Sequence, residues 1–216
     1  MDAIPETAAI LLQGLVVTLT LTAAGSVVAA ASAVTAGLAS LAPYRALRWV
    51  AIIYVEVFRG TSALVQLFWF YFVLPFFGID FGAMTAGIVA LGLNAGAYGA
   101  EIVRGAIVAV PRGQRDAAAA LNFNAWQTLR RILLPQALLA MLPPFGNLAI
   151  ELLKNSALVS LIAITELTFA AQVARSATMQ SAAIFALVLL VYFAVALCIT
   201  GLFRAGEHAL KRRGAT

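Results

Sequence analysis

"RDAAAALNFNAWQTLRRILLPQA", residues 115–137, is the stretch that decides how this chain is interpreted. It gathers Arg115, Arg130 and Arg131 with an aspartate and several side-chain amides, whereas the sequence on both sides is almost entirely apolar. The chain of 216 residues is 63% hydrophobic and only 11% charged, and soluble domains typically carry about 25% charged residues. We therefore predict an all-α, polytopic membrane bundle that is interrupted here by a polar segment.

Five apolar segments are long enough to cross a bilayer, which takes roughly 20 helical residues. They cover about 8–41, 47–75, 83–110, 132–153 and 180–203, and we treat 1–216 as one transmembrane domain. The first is longer than a perpendicular span needs, which predicts a tilted or partly surface-lying helix. Between the last two spans, "KNSALVSLIAITELTFAAQVARSATMQ" (154–180) is broken by Lys154, Glu166 and Arg175, which predicts one or two short helices folded partway into the bundle.

Basic residues fall at the ends of the apolar segments. Because cytoplasmic loops are enriched in Lys and Arg, this pattern predicts an outside N-terminus, an inside C-terminus and a multi-pass location in the inner membrane. Arg175 is the one exception to this pattern, because it lies in a connection that this topology places outside. Asp2 and Glu6 precede the first apolar run without any Lys or Arg, so we expect a retained N-terminus. The net charge of +5 is spread over the loops, and we expect no nucleic-acid partner. The basic residues that set this topology are Arg45, Arg48, Arg112, Arg115, Arg130, Arg131, Arg204, Lys211, Arg212 and Arg213.

The residues that most enzymes and metalloproteins need are scarce. His208 is the only histidine, and Cys198, which we expect in the core, is the only cysteine, so no metal or cofactor is expected. A dyad of Ser156 and Lys154 stays open as a hydrolytic alternative. No G-x-x-x-x-G-K-[ST] motif occurs, so the chain does not bind ATP phosphates by that route. We expect no enzymatic activity, and energy for transport would come from a partner or an ion gradient.

Two polar stripes run inside the apolar segments, each with the i, i+4, i+7 spacing that places side chains on one helical face. Charged groups in hydrocarbon are costly and normally face the bundle interior or a wet cavity, so two such stripes predict a path suited to a small zwitterion. Gly and Pro in "LPPFGNLAIELLKNS" (142–156) favour a broken helix there. In the alternative, the stripes only form ion pairs, Glu101 with Arg104 and Glu151 with Lys154. The stripes consist of Asn94, Tyr98 and Glu101 in the third span and Asn147, Glu151 and Lys154 in the fourth.

The polar segment, about 111–135, contains the elements of a docking site. Pro111 and Gly113 end the third span, and Asp116 is expected to cap a short helix. Asn122 suits a left-handed turn, and Phe123 and Trp126 are typical interface anchors. Ala117, Ala120 and Leu121 then share one small-residue face. An amphipathic helix resting on the lipid surface is the alternative.

The segment resembles the EAA loop of the membrane subunits of bacterial ABC importers. Three further stretches resemble the polar amino-acid uptake branch of that family, of the histidine, glutamine and arginine type: "FRGTSALVQLFWFYFVLP" (58–75), "AYGAEIVRGAIVAVPRGQ" (97–114) and "LPPFGNLAIELLKNSALVSLIAITEL" (142–167). The four motifs are colinear and lie between residues 58 and 167. Asp116 stands where the family usually has Glu, and Asn122 where it usually has Gly.

The resemblance implies a type I ABC importer permease fold whose loop forms a coupling helix in a cleft of a cytoplasmic ATPase. It also implies two ATPase subunits, a second permease subunit that is identical or closely related, and a periplasmic or tethered solute-binding protein. The implied coupling residues are Gly113, Asp116, Ala117, Ala118, Ala120, Leu121, Asn122, Phe123 and Trp126. The implied solute-path residues are Asn94, Tyr98, Glu101, Glu151, Lys154, Asn155 and Ser156.

The sequence thus predicts a permease subunit for a polar amino acid or similar zwitterion. Within the class, an importer of ectoine or hydroxyectoine is the leading alternative. From other classes, an ion-coupled secondary transporter with Glu101 and Glu151 as proton relays, and a purely structural membrane anchor, remain open.

Overall fold

The computed structural model describes the backbone of residues 3–214 and the side chains of residues 7–212. Asp2 and the side chains of Glu6 and Arg213, which entered the topology prediction, lie outside the described part. Within it the chain forms helices and no strands. The helices are α1 (Ala3–Ala39), α2 (Arg45–Gly60), α3 (Ala63–Phe68), α4 (Gly82–Ala109), α5 (Arg112–Ala120), α6 (Ala125–Thr128), α7 (Leu134–Asn155), α8 (Leu167–Thr178) and α9 (Ser181–Gly214).

Among the described residues, four helical segments are long and apolar enough to cross a membrane, and a bent helix pair adds a fifth. This confirms the five predicted segments in their order. The fourth begins earlier than expected because α6 continues into α7 through a π-helical turn, Leu129–Leu133. The segments are Thr7–Ala39, the pair Arg45–Gly60 with Ala63–Phe77, Gly82–Ala109, Ala125–Ile162 and Ser181–Arg212.

Helix α4 lies at the centre of the bundle, and α1, α2, α3 and α7 pack around it. Close approach of α1 requires glycine on α4: a Cβ atom added to Gly99 would lie 2.6 Å from the Cβ of Ala33, and one added to Gly92 would lie 2.7 Å from the Cβ of Val28. Small residues let membrane helices approach in this way.

The second span is not one helix, and the sequence analysis did not predict the break. Helix α2 ends at Gly60, and α3 leaves it at an angle of 107°. Thr61 and Ser62 between them are extended, with φ/ψ of −121°/155° and −68°/134°. The run Gly-Thr-Ser is the local cause, since a residue of low helix propensity is followed by two whose hydroxyls compete for backbone hydrogen bonds.

The predicted break in the fourth span is absent. Helix α7 runs through Pro143 and Pro144, and Pro135 lies in its first turn. Prolines are tolerated in membrane helices because neighbouring groups and local adjustments satisfy the freed carbonyls.

The connection between the fourth and fifth spans folds as predicted, into a 3₁₀ helix, Ser156–Ile162, followed by α8. The prediction that Cys198 lies in the core is wrong: it is exposed, because α9 packs against α7 and α8 along one side and leaves the opposite side uncovered.

Candidate functional site

The open side of α4 carries two residues of the first polar stripe, Tyr98 and Glu101. Tyr98 is 37% exposed, and the side chain of Glu101 is 33% exposed. Glu101 pairs with Arg104, one turn later, through contacts of 2.7 Å from Nη2 to Oε2 and 3.2 Å from Nε to Oε1. The ion pair that the structural alternative expected here is therefore present, and it lies on an accessible surface.

Arg59 belongs to the same surface, and the sequence analysis missed it. It is the penultimate residue of α2, and its guanidinium carbon lies 5.4 Å from the centroid of the Tyr98 ring. The charges of Arg104 and Arg59 both act on the Glu101 carboxylate. The motif "FRGTSA" was visible in the sequence, but the packing of α2 against α4, which brings Arg59 to Tyr98, was not.

Asn94 occupies a different environment from Tyr98 and Glu101. It is 7% exposed, and its Nδ2 donates hydrogen bonds of 3.0 Å both to the carbonyl oxygen of Phe58 and to Oε1 of Gln66. Both donors of the amide are therefore occupied by the neighbouring helices. Asn94 lies behind the open surface and contacts the bend between α2 and α3.

The second stripe lies on α7. Leu148 and Leu152 are buried in a cluster with Ala29 of α1 and Ala95 of α4. Glu151, three residues after Leu148, points about 60° round the helix from it. Both Glu151 and Lys154 are exposed, and no ion pair joins them within the described side chains.

The two residues after Lys154 differ in accessibility. Asn155 is half-buried, and Ser156 is fully buried with its hydroxyl donating to the carbonyl oxygen of Leu153 at 2.7 Å. The hydroxyl makes no hydrogen bond to Lys154, so a Ser-Lys dyad is not formed. Among the described residues, no group of three His, Cys, Asp or Glu side chains is arranged to hold a metal ion.

The polar segment forms α5, a turn and α6. The expectation that Asp116 caps α5 is wrong. The helix begins at Arg112 after Pro111, whose fixed φ suits the entry to a helix, and Asp116 lies in the middle of the helix. Asn122 has φ of 54°, the left-handed conformation predicted for it. The cap that the analysis missed is Asn124, which forms a capping box with Gln127, and the spacing N-x-x-Q was its signal.

The segment presents an exposed surface. Leu121 and Trp126 are 65% and 63% exposed, and Ala117 and Ala120 are exposed with them, whereas Ala118 is fully buried. The guanidinium of Arg131 lies 5.8 Å from the centroid of the Phe123 ring. Gly113 and Asp116 are also exposed. Exposed apolar side chains gathered on a polar segment in this way are typical of an interaction site.

Arg115 anchors the segment to the end of α4. Its Nη2 donates a hydrogen bond of 3.1 Å to the carbonyl oxygen of Ile107. A cavity of about 950 Å³ separates the segment from the end of α1, and its walls include Tyr44, Leu47, Phe123 and Trp126. Arg115 thus holds the start of the segment against α4, whereas the cavity separates Phe123 and Trp126 from the end of α1.

These features define a class: a polytopic helical membrane protein with a polar open side and an exposed helical segment between two spans. The chain belongs to the family described as the binding-protein-dependent transport system inner membrane component, whose model matches residues 25–212. Membership implies that a solute-binding protein and a separate ATPase subunit work with this chain.

Similar proteins cover most of the chain. A probable amino-acid ABC transporter permease protein of Sinorhizobium fredii is 48% identical over 82% of this chain and 76% of its own length. The glutamine transport system permease protein of Escherichia coli is 37% identical over 75% of each chain. The arginine transport system permease protein of Bacillus subtilis is 33% identical over 93% of this chain and 92% of its own.

The fold has counterparts among solved structures. A chain of the crystal structure of an amino acid ABC transporter with histidines has a TM-score of 0.86 and 34% identity, covering 94% of this chain and 95% of its own. A chain of an inward-facing methionine ABC transporter, at 22% identity, has a TM-score of 0.79 over 93% and 96%, and supports the fold alone. The type I importer permease fold is therefore confirmed.

Proposed function

We propose that this chain forms the translocation path for a polar amino acid or similar small zwitterion in an ABC importer. Its residues 1–216 act as one permease domain with the N-terminus outside, and residues 111–135 couple it to the ATPase. The observation that carries the proposal is the open polar surface of α4, where Tyr98, Glu101 and Arg59 lie together within a predominantly apolar bundle.

We assign the second stripe to the same path. Leu148 and Leu152 turn one face of α7 towards α1 and α4, so Glu151 and Lys154 lie on the face that this packing leaves open. Carboxylates together with a guanidinium and an ammonium provide partners for both charges of a zwitterion. Tyr98, Glu101, Glu151, Lys154 and Asn155 would contact solute. Asn94 and Ser156, both buried, would support the path from behind.

The relatives support the solute class, since their names specify amino acids, glutamine and arginine. The partners in this proposal are two ATPase subunits, a second permease subunit that is identical or related, and a periplasmic or tethered binding protein. Closure of the ATPase pair would act on α5 and α6 and move the bundle between inward-open and outward-open states.

Uptake into proteoliposomes containing the permease, its ATPase and its binding protein tests the proposal. We expect uptake of a radiolabelled polar amino acid only with ATP, in a panel that includes ectoine and hydroxyectoine. Uptake driven by a proton gradient in vesicles lacking the ATPase would instead establish an ion-coupled carrier.

Docking of the coupling segment is tested by Asp116→Arg. Asp116 is exposed on α5, and reversing its charge should reduce co-purification of the ATPase. Gln114→Arg is the control, because it adds an arginine to the same exposed helix about 200° away from Asp116. Normal ATPase yield with Asp116→Arg would favour a segment that rests on lipid.

A further inference from the structure

The bend after α2 leaves backbone carbonyls without helical partners. The last four carbonyls of a helix have no intrahelical donor, and an unpaired carbonyl away from water is costly. The carbonyl oxygen of Phe58 accepts two hydrogen bonds from side chains: 2.9 Å from Nε2 of Gln66 on α3 and 3.0 Å from Nδ2 of Asn94 on α4. One carbonyl therefore joins three helices.

The two amides are also bonded to each other and to the bend. Nδ2 of Asn94 donates to Oε1 of Gln66 at 3.0 Å, and Nε2 of Gln66 donates to Oγ1 of Thr61 at 2.6 Å. The Thr61 hydroxyl in turn donates to the carbonyl oxygen of Val57 at 2.7 Å. Gln66 and Asn94 are 8% and 7% exposed. We call these two side chains on the Phe58 carbonyl the amide clamp.

Arg59 directly follows the clamped carbonyl, so the clamp fixes the backbone from which its side chain extends. Arg59 is exposed, and within the described side chains its guanidinium makes no hydrogen bond and no ion pair. Arg104, by contrast, is engaged with Glu101. The surface therefore holds one uncompensated positive charge, stacked near Tyr98 with its donors free.

We propose that the amide clamp is a positioning device that holds Arg59 where its guanidinium binds the carboxylate of the solute. The inference deepens the proposed function and rests on it, because it requires a carboxylate-bearing solute to pass the open side of α4. A guanidinium presents its donors in a planar fork that matches a carboxylate, and stacking near an aromatic ring leaves the edge of that fork available. Burial of both amides excludes them from solute contact, which restricts them to positioning.

The first experiment measures binding without the binding protein, so that any selectivity belongs to the membrane complex. The probes are L-glutamine and L-arginine, which we call the free acids, and their α-carboxamides, in which an amide replaces the α-carboxylate. They are applied to the permease–ATPase complex in nanodiscs. The wild-type complex should bind the free acids more tightly than the α-carboxamides. Arg59→Gln should weaken binding of the acids about 10- to 100-fold and leave the amides unchanged, since it removes a charge-assisted hydrogen bond.

Arg48→Gln is the matched control, because it removes an arginine of the same helix that lies about three turns from the bend. It should bind like wild type. Wild type without a preference for the acids, or Arg59→Gln with the wild-type preference, would overturn the assignment of Arg59. If wild-type uptake is ATP-dependent while this preference is missing, the proposed function stands and only the present inference fails.

The clamp has its own readout. Gln66→Leu should raise the KM for uptake in the same direction as Arg59→Gln, with ATP hydrolysis retained. The exchanged pair, Gln66→Asn with Asn94→Gln, keeps both side-chain amides of the clamp and should restore the preference for the free acids. This variant also tests the clamp if Gln66→Leu does not fold. A Gln66→Leu variant that folds and keeps the wild-type preference for the free acids would show that Arg59 is positioned without the clamp. An exchanged pair that folds but binds free acids and carboxamides alike would show that the two side-chain amides do not suffice to position it.

Discussion

Thr18 of α1 and Glu166, which lies 148 residues later, meet at the N-terminus of α8. The Thr18 hydroxyl accepts the N–H of Leu167 at 3.1 Å and lies 3.5 Å from Oε2 of Glu166. The Glu166 carboxylate also caps α8 through the N–H groups of Thr168 and Phe169, both at 2.8 Å, and accepts the Tyr192 hydroxyl of α9 at 3.2 Å. A single carboxyl thus joins α1, α8 and α9.

The stability of the bundle should depend on pH through Glu166. Burial raises the pKa of this carboxyl above its ordinary value of 4.5. A raised pKa means that the folded state favours the neutral form, so this contribution to stability is complete below pH 4.5 and is lost as the pH rises through the folded-state pKa. The thermal denaturation temperature of the purified complex should therefore fall over that window.

Glu166→Gln, which is always neutral, should flatten this pH dependence. Glu56→Gln on α2 is the control, because Glu56 is exposed, and it should leave the profile unchanged. An unaltered profile in Glu166→Gln would assign the dependence to other groups.

Packing of α1 on α4 predicts opposite behaviour for two glycines of α4. Gly99→Ala places a methyl group 2.6 Å from the Cβ of Ala33 and should destabilise the bundle by about 1–3 kcal/mol. Gly105→Ala meets nothing within 4 Å and should be neutral or slightly stabilising. Thermal denaturation in detergent measures both, and equal denaturation temperatures would contradict the close helix contact.

The turn between α5 and α6 predicts a steric requirement at Asn122. Its φ of 54° is accessible to Gly and Asn but costs a β-branched residue roughly 1–2 kcal/mol. Asn122→Val should therefore lower ATPase co-purification and ATP-driven uptake, whereas Asn122→Gly should retain both. If the valine variant couples as well as the glycine variant, the turn geometry is not needed for docking.

Transport should depend on the charge of Glu151. Glu151→Gln removes one acceptor from the open face of α7 and should lower uptake about 10-fold or change the preferred solute, with the complex still assembling. Glu207→Gln is the control, since Glu207 pairs with Lys211 at 2.6 Å far along α9. Unchanged uptake kinetics in Glu151→Gln would leave Glu151 with a structural role.

The sequence sufficed for the spans, because hydrocarbon thickness imposes their length and composition. It also sufficed for the turn at Asn122, because few residues adopt positive φ. It failed where two local signals competed. Asp116 is a good cap, yet Pro111 begins the helix one turn earlier, and Pro143 favours a break that the surrounding bundle suppresses.

Residues that act through tertiary contacts were the hardest to predict. Asn94 and Tyr98 share a helical face in the sequence. Gln66 reaches Asn94 because the second span bends, and Arg59 reaches Tyr98 because α2 packs on α4. Glu166 was noted only as an interruption of an apolar run. Its role depends on Thr18 and Tyr192, which come from distant parts of the chain.

The π-helical turn at Leu129–Leu133 sets an angular phase between α6 and α7. It contains one residue more than an α-helical turn, which rotates everything before it by about 100° relative to a continuous α-helix. The direction in which the Trp126 indole projects from the helix is therefore determined by that additional residue. Deleting a single residue here would rotate the indole by about 100° around the helix axis, while the length and apolarity of the span would stay almost the same.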